Sequence, residues 1–414
     1  MTKRHDGKAV RSAPALLLAL CLLLPAAPAP AAPIQGACAG GTDATPRIAL
    51  ISAFSGEADR FIEEMQLDDG DNAFEGCVVI NGHRFATGRL RGQDVVVVLT
   101  NISIVNATMV TQLALERFKV TSIVFSGIAG GIGGLGANDD DPATPNEAPI
   151  GSVVIPRRWG FHQEMYFNND GIRVPCAFLP GLGLNHTLQD AAAEAKSCNF
   201  VFGSERRPGR ADRKSLFRPD AKNAFLRDTN VSSAAVPQFF LNEQDQQQLR
   251  AVPFPGAPAD PETDQDLKFW FPVDAALFAA AQGLEVELLD CAELGPDGDC
   301  VGTALEPAPQ LIVGQNGLSG PTFVDNARYR AFVAETLNFD EDGERGEDSD
   351  VLVLDMETTA SAVVADSAGV PFIAVRSVSD LAGGGDSAAG ELDTFFAVAA
   401  ENQARVVLAL LDAL

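Results

Sequence analysis

Two short apolar runs near the C-terminus, each followed within a few residues by an acid, constrain this chain most. The runs are Val351–Leu354 and Pro371–Val375, and the segment between them, Thr358–Ala368, is rich in alanine and valine, as helices are. A strand–helix–strand unit brings the carboxyl ends of two parallel strands to one edge of a sheet, where α/β proteins bind ligands. We therefore expect Glu357 and Asp380 to share that edge. One carboxylate could hold hydroxyl groups there while the other manages a proton.

The rest of the chain alternates in the same way. Strand-like runs lie at Arg47–Ala53, Asp94–Thr100, Ser122–Ser126, Gly151–Ile155 and Gln310–Val313, and helix-like segments begin at Glu57 and cover Asn106–Phe118 and Glu391–Leu414. Asn81-Gly82 is a hairpin signal, and four consecutive valines after Asp94 are typical of a strand buried on both faces. This order predicts an α/β fold with a mostly parallel, mixed central sheet flanked by helices.

The region from Pro156 to about Gln310 interrupts this rhythm. It is rich in Pro, Asp, Gln and Phe and has few clean periodicities. We interpret it as a large loop-rich insertion at about 156–310, packed on the core of one domain that covers residues 32–414.

The first 31 residues have the pattern of a signal peptide. A basic start precedes Ala15–Leu24, an apolar stretch too short to span a bilayer, and Ala29-Pro30-Ala31 offers a cleavage site. No later segment is expected to be apolar enough for a membrane anchor. The sequence thus predicts a periplasmic or secreted protein that has no membrane contact after cleavage.

Charge and cysteine content narrow the partners further. A formal net charge of −26 disfavours nucleic acid, whose phosphates such a surface repels. Six cysteines remain beyond residue 31, and an even number in an exported chain favours disulfides. We predict the pairs Cys176/Cys198 and Cys291/Cys300, with Cys38–Cys77 as a third. The spacing does not match a zinc site, and no metal is expected.

Five segments carry the remaining chemistry. In chain order they are Ile51-Ser52-Ala53-Phe54-Ser55-Gly56-Glu57, Thr100-Asn101-Ile102-Ser103-Ile104-Val105-Asn106-Ala107, Ser126-Gly127-Ile128-Ala129-Gly130-Gly131, Ser319-Gly320-Pro321-Thr322-Phe323-Val324-Asp325-Asn326, and the acidic pair of the opening paragraph with Met356 and Ser379. Their joint order resembles the nucleoside phosphorylase/nucleosidase superfamily, most closely the methylthioadenosine/S-adenosylhomocysteine nucleosidases. The resemblance covers about residues 47–155 and 311–414.

The resemblance implies roles for the acids. Glu57 falls where the nucleosidases carry the glutamate that activates the attacking water, although an acid at that point also suits the start of a helix. Asp380 would protonate purine N7, with Ser379 orienting it, and a buried carboxyl with a raised pKa suits that task. Glu357 would hold the ribose 2′ and 3′ hydroxyls.

The resemblance also implies the substrate-binding residues and the partners. Met356 would pack on the sugar and Phe323 would stack on the purine. The turn that Thr100 begins and the glycine-rich loop leaving a strand would complete the site, through Thr100, Ser126, Gly127, Ala129 and Gly130. His162 is expected to be structural or a subunit contact. The relatives need no cofactor and pair as homodimers, so a homodimer acting on a purine nucleoside is expected.

Departures from the pattern keep two alternatives open. The chain lacks the Gly-Asp-Pro turn and the Arg-x-Gly-Thr element with which phosphorolytic relatives hold phosphate, and Arg60 is three residues beyond Glu57, so hydrolysis is favoured over a purine nucleoside phosphorylase. Asn101 and Ser103 stand where glycines are usual. This leaves a non-catalytic nucleoside-binding or storage relative as the second alternative.

Overall fold

The computed structural model describes residue 38 and the ranges 43–133, 147–163, 165–168, 171–175, 270–295, 298, 300–337, 349–385 and 387–414. All of them belong to one compact unit, Cys38–Leu414. The predicted signal peptide and most of the predicted insertion lie outside the described residues. The predicted domain boundaries therefore stay predictions.

Sixteen strands and six helices are formed by the described residues. The strands are β1 (Asp43–Ser52), β2 (Ala73–Ile80), β3 (His83–Leu90), β4 (Gln93–Leu99), β5 (Phe118–Gly131), β6 (Val153–Ile155), β7 (Arg158–Phe161), β8 (Met165–Asn168), β9 (Gly171–Pro175), β10 (Phe271–Pro272), β11 (Cys291–Leu294), β12 (Cys300–Ala304), β13 (Leu311–Val313), β14 (Asn316–Ser319), β15 (Val351–Asp355) and β16 (Phe372–Asp380). The helices are α1 (Ser55–Met65), α2 (Ile104–Arg117), α3 (Ala275–Gln282), α4 (Ala327–Thr336), α5 (Thr358–Ala368) and α6 (Ala388–Ala413).

Twelve of these strands form one mixed sheet, as predicted. Its main path runs β10-β7-β14-β15-β5-β1-β4-β3-β2, and β16, β6 and β13 branch from β5. Parallel pairings outnumber antiparallel ones in this sheet by six to five. Helix α1 packs against α6, and α2 packs against α5. The predicted fold class is thereby confirmed.

Two predictions from local sequence, the buried valine strand and the Asn81-Gly82 hairpin, are confirmed. The valine run of β4, Val95–Val98, is 0–3% exposed, as expected for a strand covered on both faces. Asn81 and Gly82 have φ angles of 50° and 84° and join β2 to β3 in a tight hairpin. Both residues therefore use the left-handed backbone that such turns require.

One expectation about β5 is wrong. The segment Ser126–Gly131 was expected to be a loop leaving a strand, but it is the second half of β5 itself. Its glycines let the strand continue toward β15, where Gly130 and Gly131 pair antiparallel with Leu354 and Val353. A glycine-rich strand that must approach a neighbour closely looks like a turn in sequence.

The C-terminal helix α6 corrects a second expectation. By length and composition it could cross a membrane, with a mean hydropathy of 1.3 over its most apolar window. However, 61% of that window is buried inside the protein, where α6 packs on β5 and β16. Its apolar surface thus belongs to the core, as Val406, Val407 and Leu410 at 0% exposure show.

Two of the three predicted disulfides are present. Cys38–Cys77 ties the start of the unit to β2, and Cys291–Cys300 joins β11 to β12. The Cα atoms are 4.7 and 5.5 Å apart, within the usual range for a disulfide. The predicted pair Cys176/Cys198 lies outside the described residues.

Candidate active site

A cavity of about 140 Å³ lies where β1, β5, β15 and β16 end. Three acids that are far apart in sequence, Glu57, Glu357 and Asp380, line this one cavity. The predicted residues Ala129, Gly130, Phe323 and Met356 line it as well. The acidic pair and the first motif thus meet at one cavity. The expected parallel arrangement of the two strands is wrong, because β15 pairs antiparallel with β5 whereas β16 pairs parallel with it.

Glu57 is held by the turn between β1 and α1. It lies in the first turn of α1, and its Oε2 accepts hydrogen bonds from the backbone N–H groups of Ala53 (2.7 Å) and Phe54 (3.4 Å). Its Oε1 accepts from the N–H of Ile128 at 2.9 Å. Burial raises the pKa of Glu57, and this effect outweighs the opposing influence of Arg376 and the three N–H groups. The Glu57 carboxylate therefore accepts hydrogen bonds at the start of α1 and also faces the cavity.

Glu357 follows β15 directly and precedes α5. Its Oε1 accepts from the N–H of Ser103 at 2.9 Å, and its Oε2 lies 3.4 Å from Nη2 of Arg376. The residue is 4% exposed. Burial raises its pKa to about 7, against the lowering effect of Arg376 and with a further raising effect from Asp355 and Glu57. A carboxyl that titrates near neutrality can accept or share protons with hydroxyl groups of a ligand.

Asp380 is the last residue of β16. Its Oδ2 accepts from the Ser379 hydroxyl at 3.0 Å, and its Oδ1 accepts from the N–H of Ala382 at 3.0 Å. Burial is the main cause that raises its pKa to about 6, and the nearby carboxylates of Glu391 and Asp325 add to it. The Ser379 hydroxyl thus contacts the Asp380 carboxyl, and its predicted role in orienting Asp380 stays a prediction. Asp380 suits a general acid near neutral pH.

Arg376 connects the acids, and the sequence argument did not assign it a role. Its side chain is fully buried, with Nε 2.9 Å from Oδ2 of Asp355 and Nη1 3.7 Å from Oε1 of Glu57. Nη2 faces Glu357, and the guanidinium lies 4.6 Å above the Phe125 ring. One cation therefore serves three carboxylates in the interior, which is why burial still governs the pKa values of Glu57 and Glu357.

Asp355 was also missed. Its Oδ1 accepts from the Ser319 hydroxyl (2.5 Å) and from the N–H groups of Glu357 (3.0 Å) and Thr358 (3.1 Å). These bonds fix the turn on which Met356 and Glu357 stand. They also connect that turn to the end of β14, from which the Phe323 segment departs.

Comparisons with known proteins show which family this chain matches. The model of a family described as the phosphorylase superfamily matches residues 47–204 and 269–412, more than half of the chain. The chain belongs to the phosphorylase superfamily. An uncharacterized protein of Mycobacterium tuberculosis is 34% identical over 119 residues, which cover 27% of this chain and 41% of that protein.

Named relatives within the superfamily are more distant. A 5′-methylthioadenosine/S-adenosylhomocysteine nucleosidase of Shewanella sediminis is 28% identical over 162 residues, 38% of this chain and 62% of the relative. The chain thus spans less than two thirds of the length of these relatives. Among solved structures, such a nucleosidase from Neisseria meningitidis in complex with methylthio-immucillin-A has a TM-score of 0.47, with 18% identity and coverage of 89% and 100%. Futalosine hydrolase of Helicobacter pylori has a TM-score of 0.46, with 16% identity and coverage of 89% and 98%.

Four residues predicted to bind substrate in this superfamily member do not line the cavity: Ser379, Ser126, Gly127 and Thr100. Ser126 and Thr100 are fully buried. The Ser126 hydroxyl donates to the Gln403 amide oxygen, and the Thr100 hydroxyl donates to the carbonyl of Asn101 at 2.8 Å. A Cβ at Gly127 would collide with Arg376 and Glu57. Glycine there makes room for the ion pair, and direct substrate contact by these four stays a prediction.

The turn at Asn101 and Ser103, where glycines are usual, keeps the backbone conformation that glycine favours. Asn101 and Ser103 have φ angles of 66° and 106°. The Ser103 N–H consequently still points at Glu357, with which it forms the 2.9 Å bond described above. The side chains changed, but the geometry that glycine would provide was retained at the cost of local strain.

Several lining residues gave no signal of their own in the sequence. Phe54, Ile102, Ile128, Val324 and Leu392 give the cavity an apolar wall. Leu392 comes from α6, far from every motif, and periodicity alone cannot separate it from the core residues of that helix. His162 is fully buried, forms a 2.8 Å bond with the Tyr329 hydroxyl, and does not line the cavity.

Proposed function

We propose that this protein is a hydrolytic nucleosidase that cleaves the N-glycosidic bond of a purine nucleoside with an apolar 5′ substituent, such as methylthioadenosine. The observation that supports it most is the convergence of Glu57, Glu357 and Asp380 on one cavity beside the exposed Phe323 ring. The motifs shared with the nucleosidases lie in the same colinear order, and the Shewanella relative carries that activity in its name.

The mechanism assigns one task to each acid. Asp380, whose pKa is raised to about 6 by burial, donates a proton from its protonated form to purine N7, so that the base leaves as a neutral heterocycle. Glu357 accepts hydrogen bonds from the ribose 2′ and 3′ hydroxyls, and the buried carboxylates stabilise the positive charge that develops on the sugar. Glu57 takes a proton from the water that attacks C1′. This chemistry needs no metal or organic cofactor.

Charge at the cavity favours water over phosphate as the nucleophile. Four acids line it, Glu57, Asp355, Glu357 and Asp380, and the described lining includes no lysine or arginine. Arg376 lies behind them and is engaged by three of the carboxylates. Arg60, the other candidate, pairs with Glu64 at 2.7 Å and is 45% exposed on α1. A phosphate dianion would thus meet four carboxyl groups, with no lysine or arginine in the described lining to pair with it.

The apolar wall supports an uncharged substituent on the nucleoside. Phe54, Ile102 and Leu392 offer no charged or hydrogen-bonding side chain to a ligand. Burying a phosphate or carboxylate against such residues is costly, whereas an alkylthio group gains by leaving water. The same cavity would disfavour nucleotides.

We also propose a homodimer and export. Ile102, Val105 and Met109 are 50%, 72% and 44% exposed. Val105 and Met109 lie four residues apart on one face of α2, and Ile102 lies just before the N-cap residue of that helix. Ile102 also lines the cavity, so a second copy covering this face would close the site. The disulfides Cys38–Cys77 and Cys291–Cys300 suit an oxidising compartment. Sedimentation velocity and N-terminal sequencing of the mature protein test these two points.

The decisive experiment is a panel of nucleosides with and without phosphate. Purified protein is incubated with methylthioadenosine, adenosine and inosine, and free base is quantified. We expect phosphate-independent release of adenine from methylthioadenosine. A strict requirement for phosphate would support the phosphorylase alternative, and tight binding without turnover would support the non-catalytic one. Asp380→Asn should lower kcat by about 10²–10⁴, whereas the matched change Asp412→Asn, at the exposed end of α6, should leave kcat unchanged.

A further inference from the structure

The amide of Gln403 is a fully buried polar group that the proposed mechanism does not use. It lies on α6 and is 0% exposed. Its Nε2 donates to the backbone carbonyl of Glu57 at 2.7 Å, and its Oε1 accepts from the Ser126 hydroxyl. Both ends of the amide are therefore satisfied, and both partners belong to the environment of Glu57.

The two partners lie on the two chain segments that hold the Glu57 carboxylate. One segment is the start of α1, which carries Glu57 itself. The other is β5, where Ile128, two residues beyond Ser126, donates its N–H to Oε1 of Glu57. The Gln403 amide thus bridges these two segments without lining the cavity.

The same face of α6 also contacts the residues just before Glu57. Phe396 lies seven residues before Gln403, two helical turns away on the same face. Its ring stacks on Phe54 with 5.5 Å between centroids, and a side chain at Gly56 would collide with it. Helix α6 thus packs closely against the turn that carries Glu57.

We infer that Gln403 is a positioning residue for Glu57: its amide fixes the distance between the start of α1 and β5, and so keeps the Glu57 carboxylate on the Ile128 N–H. This inference rests on the proposed role of Glu57 in activating water. Gln403 itself does not line the cavity. Ser126, predicted from the sequence to bind substrate, is assigned to the same bridge.

The adjacent residue provides a matched control. Asn402 is also 0% exposed on α6, and its amide accepts from the N–H of Leu289 (2.7 Å) and donates to the carbonyls of Leu289 (2.9 Å) and Gly151 (2.9 Å). Gln403→Leu and Asn402→Leu each remove one buried, satisfied amide from the same helix turn. Only the first removes a contact with Glu57.

The experiment compares the two variants at a temperature where both are folded by circular dichroism. For Gln403→Leu we expect kcat to fall about 10-fold or more with KM within about two-fold, because a small misplacement of a reacting group is costly to rate. The pKa of Glu57, followed by carboxyl ¹³C NMR with Glu57→Gln to assign the signal, should rise as the Ile128 bond weakens. Asn402→Leu should leave kcat and that pKa at their wild-type values.

Each outcome decides a separate point. Equal kcat losses in both variants, or an unchanged pKa of Glu57 in Gln403→Leu, would overturn the positioning role. If Gln403→Leu does not fold, Ser126→Ala removes the other half of the bridge and should shift the same pKa in the same direction. A wild-type protein without nucleosidase activity would refute the proposed function, while the NMR comparison would still test whether Gln403 positions Glu57.

Discussion

Replacing Glu357 with glutamine should stabilise the protein while removing its function. The Glu357 carboxyl is 4% exposed, and burial raises its pKa from the usual 4.5 to about 7. The folded state therefore binds this proton more tightly than the unfolded chain does. The contribution of Glu357 to the free energy of unfolding is fully present below about pH 4.5 and is lost as pH rises through about 7. At 1.36 kcal/mol per pKa unit, the loss at pH 8 is about 3 kcal/mol.

Glutamine has nearly the same shape and no charge to bury. Its side-chain oxygen can still accept from the Ser103 N–H, now 2.9 Å from Glu357. Arg376 loses its 3.4 Å contact but keeps Asp355 at 2.9 Å and the carbonyl of Ile128 at 2.9 Å. At pH 8 we therefore expect Glu357→Gln to raise the free energy of unfolding by about 1–3 kcal/mol. At pH 5, where wild-type Glu357 is already protonated, the two proteins should agree within about 1 kcal/mol.

Urea unfolding at pH 5 and pH 8 measures this difference, with the fluorescence of the buried Trp159 and Trp270 as the signal. Glu401→Gln is the control, since Glu401 pairs with Arg405 at 3.2 Å near the surface and should show no gain at pH 8. If Glu357→Gln is less stable than wild type at pH 8, or differs equally at both pH values, then the Arg376 ion pair outweighs burial and the reasoning fails. Turnover of Glu357→Gln should be lost in either case.

Three further predictions concern other parts of the site and fold. Because Asp380 must be protonated and its pKa is raised to about 6, kcat/KM should fall as pH rises above about 6, and Asp380→Asn should lower kcat by about 10²–10⁴. Urea unfolding should show that Ser103→Gly raises the free energy of unfolding by about 1 kcal/mol. The backbone of Ser103 is strained at a φ of 106°, whereas glycine at a helix N-cap costs only a few tenths of a kcal/mol. Replacing Cys291 and Cys300 together by serine should cost about 2–3 kcal/mol, the loop-closure value for a separation of nine residues, and should leave kcat unchanged.

Each of these three predictions has an outcome that would contradict it. A flat pH profile between 5 and 8 would show that Asp380 does not supply the proton. A Ser103→Gly variant less stable than wild type would mean that the Ser103 hydroxyl, 3.4 Å from the N–H of Val105, stabilises α2 more than the backbone strain opposes it. A loss of kcat in the cysteine variant would connect the β11–β12 hairpin to the cavity.

The parts of the fold that were predictable are those whose signal is local. Val351–Leu354 with Glu357, and the strand ending at Asp380, are a contiguous strand–helix–strand unit, although β15 and β16 pair with β5 in opposite directions instead of forming the expected parallel arrangement. The hairpin at Asn81-Gly82 is similarly local. By contrast, β5 runs on through Ser126–Gly131 because β15 lies beside it, and a distant strand leaves no trace in the local pattern.

The same distinction explains the most consequential omission at the site. Within the strand sequence Phe372–Asp380, a single arginine looks like a solvent-facing exception, since buried arginines are rare. Arg376 is buried because its partners, Glu57, Asp355 and Glu357, come from the start of α1 and from the end of β15 and the residues after it. Each acid alone would be too costly to bury, and so would the guanidinium. Their burial is a property of the assembled cluster, so a sequence argument that finds three converging acids should also expect one interior cation among them.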